Sequence, residues 1–185
     1  LETLSARVLI LDLSLSMLAE DVKPSRLERL INIAELILTA DFEGETGLIV
    51  FSGASFVVSP LTADHSTLPE FLSSLTPETT PIDRNRFVQA LTQTQSILED
   101  AGVVGSSIIV ISDGIDRADE ALRIIKELAL AGGRLSIIGL GSVQGAPVKS
   151  LNGELLRDPN NKIVIAKPDF QTLRRLAEAG TGHFI

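Results

Sequence analysis

Short runs of Val, Ile and Leu that alternate with amphipathic segments restrict the fold of this chain of 185 residues more than any other feature. Such runs lie at Arg7–Asp12, Thr46–Ser52, Ser106–Ser112 and Arg134–Leu140. Continuous apolar runs of this length are typical of strands covered on both faces, which occur in parallel sheets. The segments between them, such as Pro24–Ala40, carry apolar residues at helical spacing. The alternation therefore predicts an α/β fold with a three-layer, Rossmann-like, doubly wound sheet that is mostly parallel.

Two stretches depart from this alternation and predict antiparallel pairing. Ser55–Ser59 follows the second strand after a short turn, so we expect it to form one antiparallel edge strand. Glu154–Arg157 and Lys162–Ala166 alternate in polarity on either side of a Pro-Asn turn, which is typical of a β-hairpin. We therefore predict a single domain over residues 1–185, with a small β-hairpin insert at about residues 150–167.

Helices are expected between the strands, and polar residues mark their ends. Ser25 and Glu28 have the spacing of a capping box in front of the first helix. Asp169 is expected to cap the last helix. The other predicted helices are one that Asp64 caps and that reaches about Leu75, one at Asn85–Ala101, and one at Arg117–Ala131 that Asp116 caps.

The composition excludes several classes of function. Lys and Arg total 16 against 24 Asp and Glu, so the net charge is −8, and so acidic a chain repels the phosphates of nucleic acids. The absence of Cys excludes disulfides and zinc–cysteine sites, and the 2 His residues lie far apart in the sequence. Carboxylates, hydroxyls and amides remain as metal ligands, and oxygen ligands suit hard cations such as Mg²⁺.

The residues that follow two of the buried strands are the candidate functional residues. In doubly wound sheets, ligands bind at the carboxyl ends of the strands, near the point where the strand order reverses. Asp12, Ser14 and Ser16 follow the first strand, and Asp113 follows the third buried strand. Alternate residues of an extended loop can point the same way. The D-x-S-x-S spacing therefore predicts that two carboxylates and two hydroxyls converge on a Mg²⁺ site.

Structural roles are the alternative for these polar residues. Asp113 could serve only to cap the next helix, and Ser16 could likewise be only an N-cap. Glu20 and Asp21 lie near the predicted site in the sequence, and we expect them to belong to a solvated loop.

Enzyme classes with related motifs fit this chain less well. The sequence contains neither the G-x-x-x-x-G-K-[ST] phosphate loop nor the G-x-S-x-G nucleophile motif. Phosphoaspartyl enzymes of the haloacid dehalogenase type also begin with an Asp at a strand end, but they need a second Asp two residues later as the general acid and base. Ser14 stands at that position. We therefore expect a protein that is not an enzyme, and a Mg²⁺-dependent phosphatase is the weaker alternative.

The pattern D-x-S-x-S after the first strand, with Ser112-Asp113-Gly114 after a later one, resembles the metal-ion-dependent adhesion site of the von Willebrand factor A (VWA) domain. Over nearly the whole chain, the sequence is similar to the bacterial Bat, or aerotolerance-associated, membrane-anchored VWA proteins. The segments that carry this resemblance are Leu18–Arg26, Gly47–Ser52, Pro60–Asp64 and Gly139–Pro147, together with the hairpin insert.

The resemblance implies a role for each residue of the predicted site. Ser14 and Ser16 would bind the cation directly through their hydroxyls, and Asp12 and Asp113 would bind it directly or through water. The cation would be Mg²⁺, or Mn²⁺ or Ca²⁺ in its place. One coordination position would stay open for an Asp or Glu of a protein partner, so the metal would act as a bridge in recognition.

The third ligand loop is where the chain departs from the family. The family supplies a Thr there, and Asn85 takes its place between Arg84 and Arg86. An Asn ligand and two positive charges beside the cation predict a weak or absent metal. Thr79 or Thr80 could substitute as the ligand if the loop folds back. A second hypothesis therefore stays open, in which the domain binds its partner through a degenerate, metal-independent site.

The resemblance also implies a setting for the domain. It suggests MoxR-type AAA ATPases and other VWA proteins as partners, and no nucleic acid. It suggests the soluble domain of a bacterial inner-membrane protein, with contact to the membrane only through segments outside this chain. No apolar run here approaches the roughly 18 residues that a membrane span needs.

Overall fold

The computed structural model describes residues 5–77 and 86–185. The strands and helices alternate along the chain as the apolar pattern predicts. In chain order they are β1 (Ala6–Asp12), α1 (Arg26–Thr39), β2 (Glu45–Phe51), β3 (Ser55–Thr62), α2 (Leu68–Leu72), α3 (Phe87–Asp100), β4 (Ser106–Ser112), α4 (Ala118–Leu130), β5 (Arg134–Gly139), β6 (Ala146–Pro147), β7 (Ile165–Ala166), α5 (Phe170–Ala179) and β8 (Thr181–Phe184).

The main sheet of the described part of the chain has six strands in the order β3-β2-β1-β4-β5-β8. Every neighbouring pair is parallel except β2 and β3, so β3 is the antiparallel edge strand that the sequence predicts. The chain runs outward from β1 to β3 on one side and from β4 to β8 on the other. The strand order therefore reverses between β1 and β4, where doubly wound sheets bind their ligands.

Side chains of the central strands alternate between two apolar cores, which gives the fold its three layers. Val8 and Ile10 of β1 face the core that α3, α4 and α5 cover. Leu9 and Leu11 face the core that α1 and α2 cover. All four are fully buried, because helices cover both faces of the sheet. The predicted three-layer fold is therefore confirmed.

Two of the predicted helix caps form and two do not. The backbone N–H of Glu28 donates to Ser25 Oγ at 3.2 Å, and Thr172 N–H donates to Asp169 Oδ1 at 3.0 Å. The prediction for Asp64 is wrong, because a short 3₁₀ turn intervenes before α2 and Asp64 makes no cap bond. The prediction for Asp116 is wrong as well. The chain enters α4 through Arg117, whose left-handed backbone (φ 52°) places it at the N-cap.

The insert before α5 forms a second, small antiparallel sheet within the described residues. Its strands are β6 and β7, so the segment before the predicted hairpin takes part in the pairing. The predicted arms are joined by an antiparallel bridge between Arg157 and Ile163. In the part of the chain that the structure describes, no helix combines the length and apolar character needed to cross a bilayer.

Candidate functional site

The predicted site lies where two neighbouring parallel strands end side by side. β1 pairs with β4 in parallel register, with Leu11 opposite Ile111. Asp12 is the last residue of β1, and Asp113 follows the last residue of β4. The two carboxylates therefore reach the same edge of the sheet at the reversal of strand order.

Buried apolar residues hold the loop after β1 in place and turn its hydroxyls to one side. Leu13, Leu15 and Met17 are buried, whereas Ser14 and Ser16 between them remain partly exposed. The segment Leu15–Leu18 is a 3₁₀ turn, where the sequence suggested an extended loop. The two hydroxyl oxygens nevertheless lie 2.9 Å apart. Packing of the alternating apolar residues therefore turns both hydroxyls to the same side, as was expected of an extended loop.

Hydrogen bonds hold the Asp12 carboxylate in place, and the Ser16 side chain lies beside Asp113. The Ser16 side chain acts to lower the pKa of Asp113. Asp12 Oδ1 accepts from Ser14 N–H at 2.9 Å, and Asp12 Oδ2 accepts from Ser112 Oγ at 2.5 Å. The structure therefore brings together four of the five predicted ligands, namely Asp12, Ser14, Ser16 and Asp113. Ser112, which bridges the two strand ends, was not among the predicted ligands.

Burial makes both carboxylates difficult to ionise. Asp12 is fully buried and Asp113 is 6% exposed. Burial and the neighbouring charge of Asp113 raise the pKa of Asp12 to about 7, although Ser112 and Ser14 oppose the shift by hydrogen bonding. Burial also raises the pKa of Asp113, against the hydrogen bond from Ser16 and the positive charge of Arg26. Two adjacent buried acids of this kind store repulsion that a bound cation would relieve.

Arg26 is a member of this site that sequence reasoning missed. Its side chain is fully buried, and its Nη1 donates to Asp113 Oδ2 at 2.5 Å. Arg26 is the first residue of α1 and lies four residues before Leu30 and eight before Ala34, on the buried stripe of that helix. A charged residue in phase with an apolar stripe is the signal that could have predicted a buried ion pair.

Asp21 is the second partner of Arg26, and the prediction that it belongs to a solvated loop is wrong. Arg26 donates to Asp21 Oδ1 at 2.8 Å from Nε and to Oδ2 at 2.6 Å from Nη2. Ser142 N–H also donates to Asp21 Oδ2, at 2.8 Å, and the Asp21 side chain is 4% exposed. Glu20 is exposed as predicted and pairs with Lys149 of the insert at 3.1 Å.

The glycine-rich segment after β5 packs against this ion pair. Gly141 has φ +117°, and a Cβ there would lie 2.4 Å from Pro168 Cγ and 2.8 Å from Arg26 Nε. The position thus needs glycine both for its backbone conformation and for the close approach of the guanidinium. The insert closes the other side, since Arg26 Nη2 donates to the carbonyl of Ala166 at 2.9 Å.

The third ligand loop is only partly within the described residues. The predicted ligand Asn85, its neighbour Arg84, and the alternatives Thr79 and Thr80 lie outside them. Arg86 is described, and its Nε donates to the carbonyl of Gly53 at 3.2 Å. Its backbone N–H donates to Ser52 O at 2.9 Å, so this residue is anchored to the turn after β2.

The donor set fits a hard divalent cation in its chemistry. Mg²⁺ sites commonly use one or two carboxylates and complete the shell with hydroxyls and water. The described residues contain no group of three His, Cys, Asp or Glu side chains arranged to hold a metal ion, so the hydroxyls of Ser14 and Ser16 would be needed. Of the carboxylate oxygens, Asp113 Oδ2 already accepts from Arg26.

Comparison with known proteins agrees with this fold. The family model of the von Willebrand factor type A domain matches residues 7–115, which include both strand ends of the site, and the chain belongs to this family. A comparison with curated protein sequences gives no match.

Solved structures extend the likeness beyond the family model. BatB from Bacteroides thetaiotaomicron is 28% identical with a TM-score of 0.88, and the match covers 97% of this chain and 88% of BatB. An aerotolerance-related membrane protein from Bacteroides fragilis is 28% identical with a TM-score of 0.87, over 97% of this chain and 90% of that one. The manganese-loaded TRAP protein of Plasmodium vivax, at 16% identity and a TM-score of 0.66 over 95% of this chain and 63% of its own, shares the fold.

Proposed function

We propose that this domain is a non-enzymatic protein-interaction module that binds an acidic residue of a partner through a divalent metal ion. The observation that carries the proposal is the convergence of Asp12, Ser14, Ser16 and Asp113 at one sheet edge. Two adjacent buried carboxylates remain electrostatically costly even though Arg26 pairs with Asp113. Two partly exposed hydroxyls beside them provide neutral oxygen ligands on the side from which a partner can approach.

Each residue of the site has a distinct task in this proposal. Ser14 and Ser16 would ligate Mg²⁺ or Mn²⁺ through their hydroxyls, and Asp12 and Asp113 would supply the negative charge. Asn85 is proposed as the ligand from the third loop. The bound cation would supply an open coordination position for a carboxylate. Ser112 orients Asp12 through its hydrogen bond, which leaves the carboxylate fixed at the strand end.

Titration calorimetry with Mg²⁺ and with Mn²⁺ tests the metal step. We expect wild-type protein to bind at millimolar metal or below, and Asp12→Ala to lose binding. Asp119→Ala is the matched control, because this acid has a side chain that is 93% exposed on α4 and its removal should leave binding unchanged. Absence of binding to wild type at millimolar metal would contradict the proposal.

A metal-independent version of the same function is the second candidate. It is favoured by the Arg26 guanidinium, which already provides positive charge to Asp113. In that case partner binding would survive both EDTA and Asp12→Ala. Loss of partner binding under either treatment would decide for the metal-dependent version.

The absence of catalysis is also part of the proposal and has its own test. Ser14 stands where a phosphoaspartyl enzyme needs its second acid, and its hydroxyl is engaged with Ser16 at 2.9 Å. We expect no turnover of a generic phosphate ester in the presence of Mg²⁺. Turnover that Asp12→Asn abolishes would instead identify a phosphatase.

The cellular setting is proposed from the likeness to the two Bacteroides proteins, one of which is described as an aerotolerance-related membrane protein. We place this domain in a membrane-anchored bacterial protein of the Bat type. MoxR-type AAA ATPases and other VWA proteins are the proposed partners. Co-purification of such an ATPase with the intact protein, and its loss in Asp12→Ala, would support this assignment.

A further inference from the structure

Asp12, Asp21, Arg26 and Asp113 form a connected group of buried charges, here termed the charge cluster. Arg26 contacts Asp113 through one arm of its guanidinium and Asp21 through the other two nitrogens, with distances of 2.5, 2.6 and 2.8 Å. Asp12 faces Asp113 from the neighbouring strand end. With all groups ionised, three carboxylates and one guanidinium leave the cluster with a net charge of −2.

Arg26 and Asp21 are not among the proposed ligands, but hydrogen bonds hold them close to the proposed metal site. Asp21 is fixed by Ser142, whose N–H and hydroxyl both donate to its Oδ2 at 2.8 and 3.1 Å. The side chains of Arg26 and Asp21 are 0% and 4% exposed, so water screens their charges poorly. Their charges must therefore act on any cation at Asp12 and Asp113.

We propose that Arg26 and Asp21 balance each other's charge, so that the metal site keeps the net charge of −2 that matches one divalent cation. This inference rests on the proposed function, because it assumes that the site binds metal. A divalent ion neutralises the charge cluster, and the loaded site then receives a partner carboxylate without net repulsion. Were Arg26 uncharged, the loaded site would remain negative, and it would hold cations more tightly and repel the partner carboxylate.

Four variants change the charge of the cluster in known steps. Arg26→Met makes it −3, Asp21→Asn makes it −1, and the double variant Arg26→Met/Asp21→Asn returns it to −2. Arg26→Lys keeps the wild-type charge but loses the two-pronged geometry of the guanidinium. Binding of Mn²⁺ and of La³⁺ by each variant is measured by titration calorimetry, and folding of the metal-free variants by circular dichroism.

The charge series predicts a definite order of affinities. Arg26→Met should bind Mn²⁺ about tenfold and La³⁺ about thirtyfold more tightly than wild type, because an added charge acts in proportion to the charge of the ion. Asp21→Asn should bind both ions more weakly by similar factors. The double variant and Arg26→Lys should return to within about threefold of wild type.

The outcomes separate this inference from the proposed function. If wild type binds neither ion, the proposed function is wrong and the inference is overturned with it. If wild type binds Mn²⁺ but affinity falls alike in Arg26→Met, Arg26→Lys and the double variant, Arg26 is only structural and this inference alone is overturned. If Arg26→Met does not fold, Asp21→Asn and Arg26→Lys still decide, since equal losses of affinity in both would refute the charge series.

Discussion

At the scale of the residue, some contacts of Asp12 stabilise its charged form and others destabilise it. Its carboxylate is fully buried and faces Asp113, yet it is held by Ser14 N–H and Ser112 Oγ. Hydrogen bonds satisfy its oxygens without removing the cost of a second buried negative charge. Under the proposed function, this cost in stability is expected, because residues chosen for binding often lower the stability of the fold.

Replacement of Asp12 by Asn should stabilise the metal-free protein and abolish metal binding. The Asn Nδ2 can donate to Ser112 Oγ, whose own proton can then go to the carbonyl of Gly114 at 2.8 Å. With the repulsion from Asp113 removed, we expect the free energy of unfolding at neutral pH to rise on the order of 2 kcal/mol. Urea denaturation in EDTA measures this change.

Asp113→Asn is the contrasting variant for this prediction. It removes the other acid but leaves the buried Arg26 with one partner fewer, so the metal-free protein should lose stability. Destabilisation by Asp12→Asn would contradict the proposed repulsion between the two acids.

Asp21 should stabilise the folded protein, and this contribution should be lost in acid. A buried, unpaired acid would behave in the opposite way, because acid would relieve its cost. Although burial raises its pKa, the guanidinium of Arg26 and the N–H of Ser142 lower the pKa of Asp21 to about 2, below an unfolded value of 3.8. The stabilisation is therefore complete above about pH 4 and is lost as the pH falls through 2. It amounts to about 2 kcal/mol.

Unfolding of wild type and Asp21→Asn between pH 2 and pH 6 tests this dependence. The advantage of wild type over Asp21→Asn should shrink as the pH falls below about 4. Glu20→Gln serves as the control, because the exposed Glu20–Lys149 pair should contribute less than about 1 kcal/mol at any pH. A constant difference between wild type and Asp21→Asn would show that the Asp21 charge does not contribute to stability.

At the scale of the element, local sequence signals and tertiary packing together determine where the helices begin. The capping box of α1 and the Asp169 cap of α5 could both be predicted, because these bonds join residues three positions apart. Asp116 could not be excluded as the cap of α4 from sequence. Arg117 takes the N-cap position with a left-handed backbone, a conformation that a non-glycine residue rarely adopts.

Ser25→Ala should destabilise the protein by about 1 kcal/mol, because the N–H of Glu28 loses its acceptor. Thermal unfolding measures the change. Ser73→Ala is the matched control, since the exposed Ser73 hydroxyl donates only to the carbonyl of Glu70 at the end of α2. A loss in Ser73→Ala equal to that in Ser25→Ala would contradict the capping role.

At the scale of the whole molecule, the central strands and the insert differ sharply in burial. β1 is buried along its whole length between the two helical layers. The insert consists of strands of two residues each, and it exposes Leu151, Leu155, Ile163 and Ile165. The central strands and the insert should therefore differ in local stability.

Hydrogen exchange should reveal this difference. Amides of β1 and β4 should exchange only through global unfolding, whereas those of β6 and β7 should exchange at least about 100-fold faster. Mass spectrometry of exchanged peptides, run at several urea concentrations, distinguishes the two. Equal protection of the insert and the central strands would show that the insert unfolds together with the core.

The sequence by itself determined the strands β1 to β5, most of the helices, the three-layer, mostly parallel sheet and the positions of Asp12, Ser14, Ser16 and Asp113 at the strand ends. These features depend on the periodicity of short stretches and on the order of the elements along the chain, and both can be read directly from the sequence. Only the tertiary structure decided that Arg26 joins Asp113. The two lie 87 residues apart in sequence, and their pairing depends on how α1, β4 and the insert pack together. The phase of Arg26 on the apolar stripe of α1 indicates that its side chain is buried, but the identity of its partner depends on contacts between distant parts of the chain.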